Sequence, residues 1–333
     1  MKNLIIFPDF HSTLKEPFHL AQKEFLKYVK TVYTLNKDYI LLSLGDFFDK
    51  YNPEPKLVSE AIHFLENETE CEHIILAGNN THEVNNLTGQ YAIQNLEALE
   101  RIKCIYEIRR MQIDNLNILL IPAIPDKVWR KQEYKSFQEY LEMKIATEYN
   151  DMEFDYVFGH LNITESMFSD FVNIDFINCK KENIICGHIH NKFLGSVLPM
   201  SIADTKYTSQ IASINTETKA IEKFPIPQFL QYNQVTYPND CELTETDGQF
   251  TYYNYFEVLC EDSKIAEKYY KDKYGKGFCI YKFMNPNKNV INEKEEGRIN
   301  EQLRNKDYLK LYCQTNTVRA SIYKYLDKKL GAN

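Results

Sequence analysis

The sequence predicts an α/β fold with a layered core, and two observations support this prediction. Short apolar runs alternate with longer stretches in which apolar residues recur every three or four positions, a pattern typical of strands alternating with amphipathic helices. Asp, Asn and His side chains directly follow several of the apolar runs. Because ligands bind at the carboxyl ends of strands in open α/β sheets, the same pattern indicates where a functional site should lie.

The first half of the chain supplies the predicted core elements. We expect strands at 4–7, 39–44, 73–77, 117–121, 156–158 and 183–186. We expect helices at 18–32, 54–67, 89–101 and 132–146, the first of which carries an apolar stripe at Phe18, Ala21, Phe25 and Val29. Residues 206–224 are predicted to form two strands around a polar turn, and these strands would close the core.

A Pro-rich segment at 224–227 marks the predicted end of the core domain, which spans residues 1–225. Residues 226–290 are expected to form a small α/β domain, with strands at 252–260 and 277–283 flanking a helix at 263–274. The tail at 291–333 is highly charged and has a helical spacing of apolar residues, so we predict a helical C-terminal tail.

Composition and sequence motifs argue against several classes of protein. The 39 Lys and Arg residues against 47 Asp and Glu residues give a net charge of −8, which does not by itself indicate a nucleic-acid binder. The sequence has no apolar run of roughly 18 residues, and its first apolar stretch is too short for a signal peptide, so we expect a cytoplasmic protein without a membrane partner. Its 8 cysteines are scattered without a Cys-x-x-Cys pair, which predicts reduced thiols. No P-loop motif for ATP binding is present.

Candidate metal ligands follow five predicted strands. They lie in Asp9-Phe10-His11, Gly45-Asp46-Phe47-Phe48-Asp49, Gly78-Asn79-Asn80-Thr81-His82, Gly159-His160 and Gly187-His188-Ile189-His190. Carboxylate, amide and imidazole groups without thiolates are typical ligands of Mn, Fe, Zn or Mg. The candidates are Asp9, His11, Asp46, one Asn, His160, His188 and His190, too many for one four-coordinate ion. Two ions sharing Asp46 would use them all, and ions about 3.5 to 4 Å apart can activate water for an in-line displacement at phosphorus.

This ordered series of motifs resembles that of the calcineurin-like metallophosphoesterases, over residues 1–200. Within that superfamily the chain is most similar to the SbcD-type DNA repair exonucleases, a group that includes the recombination endonuclease subunit of T-even bacteriophages. Gly195-Ser196 follows the last motif as in that group, and an appendage and a tail follow the core. The resemblance implies a core of two sheets flanked by helices, and a capping and DNA-binding domain at 226–290. It also favours a tail at 291–333 that docks an ATPase partner, with packing of the tail on the chain itself as the alternative.

The resemblance also implies a role for each residue of the motifs. It places Asp9, His11 and His190 on one metal ion, Asp46 as the bridge, and an Asn with His160 and His188 on the other. His82 would be a catalytic acid that is not a ligand, and Asp49 would orient the site or touch the substrate phosphate. The family normally has adjacent Asn and His residues, whereas two residues separate Asn79 from His82 here. Asn79 and Asn80 therefore both remain candidate ligands, and Asn79 is favoured because it directly follows a glycine.

The expected function is that of the nuclease subunit of an SbcCD-type complex for DNA end processing and recombination. The resemblance implies 3′–5′ exonuclease and endonuclease action on DNA, two divalent ions (Mn, with Mg as the alternative), a homodimer, and a separate SbcC-type coiled-coil ATPase. One alternative is a metallophosphatase or small phosphodiesterase that acts on phosphoproteins or nucleotides. Another is a catalytically silent scaffold, suggested by the insertion before His82.

Three further features leave a choice of interpretation. The stretch 264–282 has six lysines, two acidic residues and interleaved tyrosines, so it suits either DNA contact or a solvated helix with tyrosines packed behind it. Trp129 is expected to pack at the core rim, with base stacking as the alternative. His19, His63 and His73 lie outside the motifs and are expected on the surface or in helix packing.

Overall fold

The computed structural model describes residues 2–33, 38–79, 83–85, 88–163, 171–190, 193–199, 204–239, 249–274 and 279–284. The predicted tail at 291–333 lies outside the described residues, and so do Asn80 and His82. The division of the chain into domains stays a prediction.

The described residues form strands and helices in the following order along the chain. The strands are β1 (Asn3–Phe7), β2 (Tyr39–Ser43), β3 (Glu72–Leu76), β4 (Ile102–Ile105), β5 (Arg109–Ile113), β6 (Leu116–Ile121), β7 (Tyr156–His160), β8 (Ile184–Gly187), β9 (Gln210–Asn215), β10 (Ile221–Pro225), β11 (Leu230–Thr236), β12 (Tyr253–Leu259) and β13 (Cys279–Met284). The α-helices are α1 (Phe18–Tyr33), α2 (Pro55–His63), α3 (Asp126–Arg130), α4 (Phe137–Glu148) and α5 (Ser263–Tyr274). A π-helical turn, Phe64–Glu68, continues α2.

These strands form three sheets. The first sheet has the order β10-β9-β1-β2-β3-β4, in which β1 to β4 are parallel and β9 is antiparallel to both of its neighbours. The second has the order β5-β6-β7-β8, with β6 to β8 parallel and β5 antiparallel to β6. The third is the parallel sheet β11-β12-β13. The predicted α/β fold is confirmed, with mixed sheets flanked by helices.

The central strands of the first sheet, β1 to β3, are mostly apolar because both faces of the sheet are buried there. In β1, Leu4 and Ile6 belong to a hydrophobic cluster that also contains residues of β6 and β7 in the second sheet. Ile5 and Phe7 point the other way and pack in a cluster with Phe25 of α1. The outer face of the second sheet packs on α4 in the same manner. The two sheets therefore pack face to face, with helices on their outer faces.

Most predicted core elements agree with the structure, but the predicted helix at 89–101 is wrong. Only Ala92–Leu96 is helical there, as a short 3-10 segment. The chain then turns, because residues 102–105 must reach β3 and pair with it as the parallel strand β4. Strands β4, β5 and β11 were not predicted. Exposed or half-buried positions interrupt the apolar pattern in all three strands.

Phe229, just before β11, and Tyr255 of β12 pack against the core through α1. Phe18 and Tyr28 of α1 make ring contacts with Tyr255 and Phe229, at centroid distances of 5.5 and 5.8 Å. Helix α5 has the predicted bounds, and its Tyr270 is buried behind an exposed lysine face. This arrangement favours the solvated-helix interpretation of the basic stretch. Within the described ranges, no helix is long and apolar enough to cross a membrane.

The cysteine prediction also agrees with the structure. The five cysteines whose side chains are described are all unpaired, and each is buried or half-buried: Cys71, Cys104, Cys179, Cys186 and Cys260.

Candidate metal centre

The predicted ligands converge where strands of the first two sheets end. Asp9 and His11 follow β1, Asp46 and Asp49 follow β2, Asn79 follows β3, His160 ends β7, and His188 and His190 follow β8. The loops after β1 and β2 are held together, since the backbone N–H of His11 donates to the carbonyl of Asp46 at 2.7 Å. The loop after β8 is tied to the same place, because the backbone N–H of His188 donates to Asp9 Oδ2 at 2.6 Å.

Six of these residues form two triads. The first triad is Asp9, His11 and His190, and the second triad is Asp46, His160 and His188. Within each triad every residue offers one ligand atom, and these atoms lie within 4.8 Å of one another. The grouping is the one that the family resemblance implied, with Asp46 in the second triad.

Two imidazoles and a carboxylate face one another in the first triad. His11 Nε2 lies 3.1 Å from His190 Nε2, which in turn lies 3.6 Å from Asp9 Oδ2. His190 Nδ1 lies 3.4 Å from Asp204 Oδ2, so the carboxylate can accept the Nδ1 proton and leave Nε2 facing the triad. Asp49 Oδ1 lies 3.9 Å from His11 Nδ1, where it can orient that ring.

The second triad includes the amide of Asn79 at its edge. His160 Nε2 lies 3.3 Å from Asp46 Oδ2, and His160 Nδ1 donates to the carbonyl of Leu44 at 3.0 Å. The side-chain amide of Asn79 lies 2.9 Å from His188 Nδ1 and 3.3 Å from Asp46 Oδ2. A half-turn of this amide would present its oxygen to the same place. Asn79 therefore lies within reach of the second triad, while the other candidate, Asn80, is outside the described residues.

Asp46 connects the triads. Its Oδ2 atom lies 3.3 Å from His160 Nε2 in the second triad and 4.0 Å from His11 Nε2 in the first. The backbone N–H of Asn79 donates to the other oxygen, Oδ1, at 2.9 Å. This placement between the two triads is the one expected of a bridging carboxylate.

Close contacts explain the glycines that precede several of these ligands. A Cβ atom on Gly187 would lie 2.1 Å from Asp9 Oδ1, and one on Gly78 would lie 2.0 Å from Asp46 Oδ1. A Cβ atom on Gly45 would lie 2.4 Å from His160 Nδ1. The ligand side chains therefore occupy the space that any larger residue would need.

Three candidate ligands adopt backbone conformations that L-residues rarely use. The φ angles of His11, Asp46 and His188 are 49°, 45° and 77°. Such left-handed conformations cost on the order of 1–3 kcal/mol each and are concentrated at functional sites. They aim the side chains into the centre in a way that an ideal strand or helix end would not.

The centre concentrates negative charge in a buried place. Burial alone lowers the pKa of His160, but the carboxylates of Asp46 and Asp9 outweigh it and raise the pKa to about 9. Burial likewise lowers the pKa of His190, while its contacts with Asp204 and Asp9 raise the pKa to about 10. Both rings therefore favour the protonated state at neutral pH, which shows that this site attracts positive charge.

The residues present fit a pair of divalent cations. Asp9 Oδ1 is buried and has no hydrogen-bond partner among the residues that the structure describes, which is uncommon inside proteins. Carboxylate oxygens, an amide and neutral imidazoles are donors that Mn²⁺ accepts. Ions at the two triads would satisfy these atoms and replace the protons on the histidines.

Glu83 has a structural role that was not predicted from the sequence. It is fully buried, and its two oxygens accept from the backbone N–H groups of Phe48 and Gly78, each at 2.7 Å. The carboxylate thereby joins the loop that carries Asp46 to the loop that carries Asn79. Burial and the nearby Asp46 raise the pKa of Glu83 to about 8.

The structure agrees with some of the remaining predictions about individual residues and not with others. Asp49 lies beside the first triad, but His82 and Asn80 are outside the described residues, so the role of His82 stays a prediction. Asp204, which contacts His190, was missed because it comes 14 residues after its partner with no motif to mark it. The expectation for His73 is wrong, since this residue is buried in strand β3.

Comparisons with known proteins do not indicate a family. No family model matches the chain, and no curated protein matches it. A solved structure of a protein of unknown function from Aquifex aeolicus is similar at 16% identity, with a TM-score of 0.28; the match covers 54% of this chain and 89% of that chain. A TM-score this low supports neither a shared fold nor a shared function. The function must therefore be inferred from the centre itself.

Proposed function

We propose that this chain is a two-metal phosphodiesterase with a calcineurin-like metallophosphoesterase core. The observation that carries the proposal is the pairing of two Asp and His triads through Asp46. A single structural zinc site would need only four ligands and would leave no open position. Two adjoining triads instead suit a pair of ions that act on one phosphoryl group. Two sheets packed face to face between helices also support this core.

The chain's own residues would prepare the centre for this reaction. Bound at the two triads, divalent ions would lower the pKa of a water and neutralise the charge on phosphate oxygens. Leu44 and Asp204 accept the Nδ1 protons of His160 and His190, so that the Nε2 atoms face the centre. We assign His82 as the acid that protonates the leaving oxygen, and Asp49 as the residue that orients His11.

We further propose that the substrate is DNA and that the chain is the nuclease subunit of an SbcCD-type end-processing complex. The order of the motifs and the Gly195-Ser196 segment support this assignment. The partners would be a separate coiled-coil ATPase and a second copy of the chain, in the cytoplasm of a bacterial or phage-infected cell. The net charge of −8 predicts weak non-specific DNA binding by the chain alone.

A substrate comparison tests this function. Purified wild-type protein with Mn²⁺ would be given end-labelled linear duplex DNA, a phosphopeptide and a cyclic nucleotide in parallel. We expect degradation of DNA, its loss with EDTA, and its loss in Asp46→Asn, while Asp175→Asn, which removes a surface carboxylate, keeps full activity. Hydrolysis of only the phosphopeptide or the cyclic nucleotide would favour the phosphatase or small-phosphodiesterase alternative. A lack of activity on all three, with or without the ATPase, would favour the scaffold.

A further inference from the structure

A groove of about 500 Å³ begins at the second triad and runs along α3 and α4. Asn79, His160 and His188 form its inner end. Further out it is lined by Arg130 of α3, by Lys135, by Phe137 at the start of α4, and by Phe171. We call this the α3–α4 groove. Because one end is built from candidate metal ligands, a molecule held along it would place one of its groups at the centre.

The outer wall of the groove is fixed by hydrogen bonds. Gln138 of α4 donates from Nε2 to the carbonyl of Asn173 at 2.9 Å and accepts from the N–H of Asn173 at 2.8 Å. The N–H of Val172 donates to the carbonyl of Asn162 at 2.8 Å. These bonds position the backbone beside Phe171, whose side chain is nevertheless 40% exposed. A large aromatic ring is thus held at the mouth of the groove with much of its surface open.

The aromatic surface comes from the phenylalanines and not from the tryptophan nearby. Trp129 is only 6% exposed and packs with Leu141 and Ile145 in the cluster under the second sheet. This burial confirms the predicted packing role of Trp129. Phe137 and Phe171 remain as the rings that a ligand in the groove could contact.

The charged lining is mildly cationic in a chain of net charge −8. Arg130 and Lys135 contribute two positive charges, and Asp126 contributes one negative charge. Arg130 and Lys135 are both exposed, but Arg130 pairs with Asp126 at 2.8 Å and lies 5.0 Å from the centre of the Trp129 ring, so we take Lys135 as the lining cation that meets a phosphate. An exposed aromatic ring and an exposed cation that line the same groove suit a base and its phosphate.

We propose that the α3–α4 groove binds one nucleotide of the substrate strand, with its base stacked on Phe171 and its backbone phosphate beside Lys135. This inference depends on the proposed function, because it places the adjoining phosphate at the two triads. A phosphopeptide would be recognised chiefly by cations and would gain little from the exposed ring. Recognition by stacking tolerates any base, so the groove would hold the strand without reading its sequence.

The test is oligonucleotide binding by the full chain with Ca²⁺ in place of Mn²⁺, followed by fluorescence anisotropy. The probes are a labelled strand of thymidines and a strand of equal length and charge that carries abasic sugars. Phe171→Ala should weaken thymidine-strand binding by about fivefold or more, since stacking losses correspond to roughly 5- to 150-fold in affinity. Phe171→Tyr should keep the affinity. Phe176→Ala removes a similarly exposed ring that does not line the groove, and it should change nothing.

The outcomes separate this inference from the proposed function. Unchanged thymidine binding by Phe171→Ala would overturn the inference, and so would equal losses on the thymidine and abasic strands, or a failure of the wild type to bind either strand. Cleavage with Mn²⁺ is measured separately on the same strands. If binding depends on Phe171 as described but nothing is cleaved, with or without the ATPase, the proposed function fails and the groove assignment stands.

Discussion

His11 and His190 lie with their Nε2 atoms 3.1 Å apart, although 179 residues separate them in the chain. Two neutral imidazole nitrogens at this distance need a proton or a cation between them. Asp9 Oδ2 lies 3.6 Å from the same nitrogen of His190, so the space between these side chains is bordered by three possible ligand atoms.

Gly187→Ala should weaken metal binding at the first triad. The added methyl group would lie 2.1 Å from Asp9 Oδ1, so the carboxylate must move out of place. We expect a loss of roughly 10- to 100-fold in Mn²⁺ affinity, as when the surroundings of metal ligands are disturbed. Isothermal titration calorimetry measures this change.

Gly159→Ala is the matched control, since this glycine also directly precedes a candidate His ligand. Its added methyl group would lie 3.3 Å from Cys186 Sγ and from the carbonyl oxygen of Ile121, and its three nearest atoms include none from a candidate ligand. Equal losses of Mn²⁺ affinity in the two variants would contradict the close-contact explanation.

Glu83→Ala should destabilise the fold around the centre. Two buried backbone N–H groups, of Phe48 and Gly78, would lose their acceptor, at about 1–3 kcal/mol each in the free energy of unfolding. Urea denaturation measures the loss. Glu72→Ala, which removes a half-buried acid at the start of β3, should change stability by no more than about 0.5 kcal/mol. If the two variants were equally stable, the bridging role of Glu83 would be wrong.

Asp204→Asn should weaken the first triad without unfolding the chain. Asp204 Oδ2 lies 3.4 Å from His190 Nδ1, and a carboxylate in this position fixes the ring and makes Nε2 a better ligand. We expect a drop of roughly 10- to 100-fold in Mn²⁺ affinity at one site, with the second site unaffected. Equilibrium dialysis over a range of Mn²⁺ concentrations resolves the two sites. A wild-type binding curve for this variant would refute the role given to Asp204.

His73 should make the fold sensitive to acid. Burial, and to a smaller extent Arg101, lower the pKa of His73 to about 3 in the folded protein. The unfolded chain takes up a proton on this residue near pH 6.5. The contribution of neutral His73 to the free energy of unfolding is therefore fully present above pH 6.5 and is lost as the pH falls towards 3. The expected slope from this residue is about 1.4 kcal/mol per pH unit in that window.

Comparison of His73→Leu with the wild type isolates this contribution. The variant should lose about 2 kcal/mol less stability than the wild type between pH 6.5 and pH 5 in urea denaturation. The hydroxyl of Thr69 that now contacts His73 also donates to the carbonyl of Leu65, so it keeps a partner. His63→Leu changes an exposed histidine of α2 and should leave the slope unchanged. Parallel pH profiles for the wild type and His73→Leu would rule the effect out.

The sequence predicted the elements whose burial leaves a regular pattern. Strand β1 is apolar on both faces, and α1 carries its apolar stripe on one side, so both were predicted with nearly the observed bounds. Strand β5 lies at a sheet edge, and in Arg109–Ile113 only the last residue is buried, which leaves no pattern to find. The helix predicted at 89–101 failed because pairing of β4 with β3 overrides the local helical spacing.

Some residues of the candidate site could likewise be predicted from the sequence, and others could not. Residues that directly follow strands could be predicted, because parallel strands bring their carboxyl ends to one edge. Asp204 and Glu83 act through contacts between distant loops, and such contacts leave no periodic signal in the chain. The positive φ angle of Asp46 is likewise a consequence of the assembled centre, and it cannot be predicted from the residue type.

The stoichiometry of Mn²⁺ binding tests the central claim most directly. Equilibrium dialysis followed by metal analysis should find two Mn²⁺ ions per wild-type chain. Asp46→Asn should weaken binding at both sites, because Asp46 Oδ2 lies between the two triads. One ion or none per wild-type chain, or an unchanged pair of ions in Asp46→Asn, would contradict a two-metal centre bridged by Asp46.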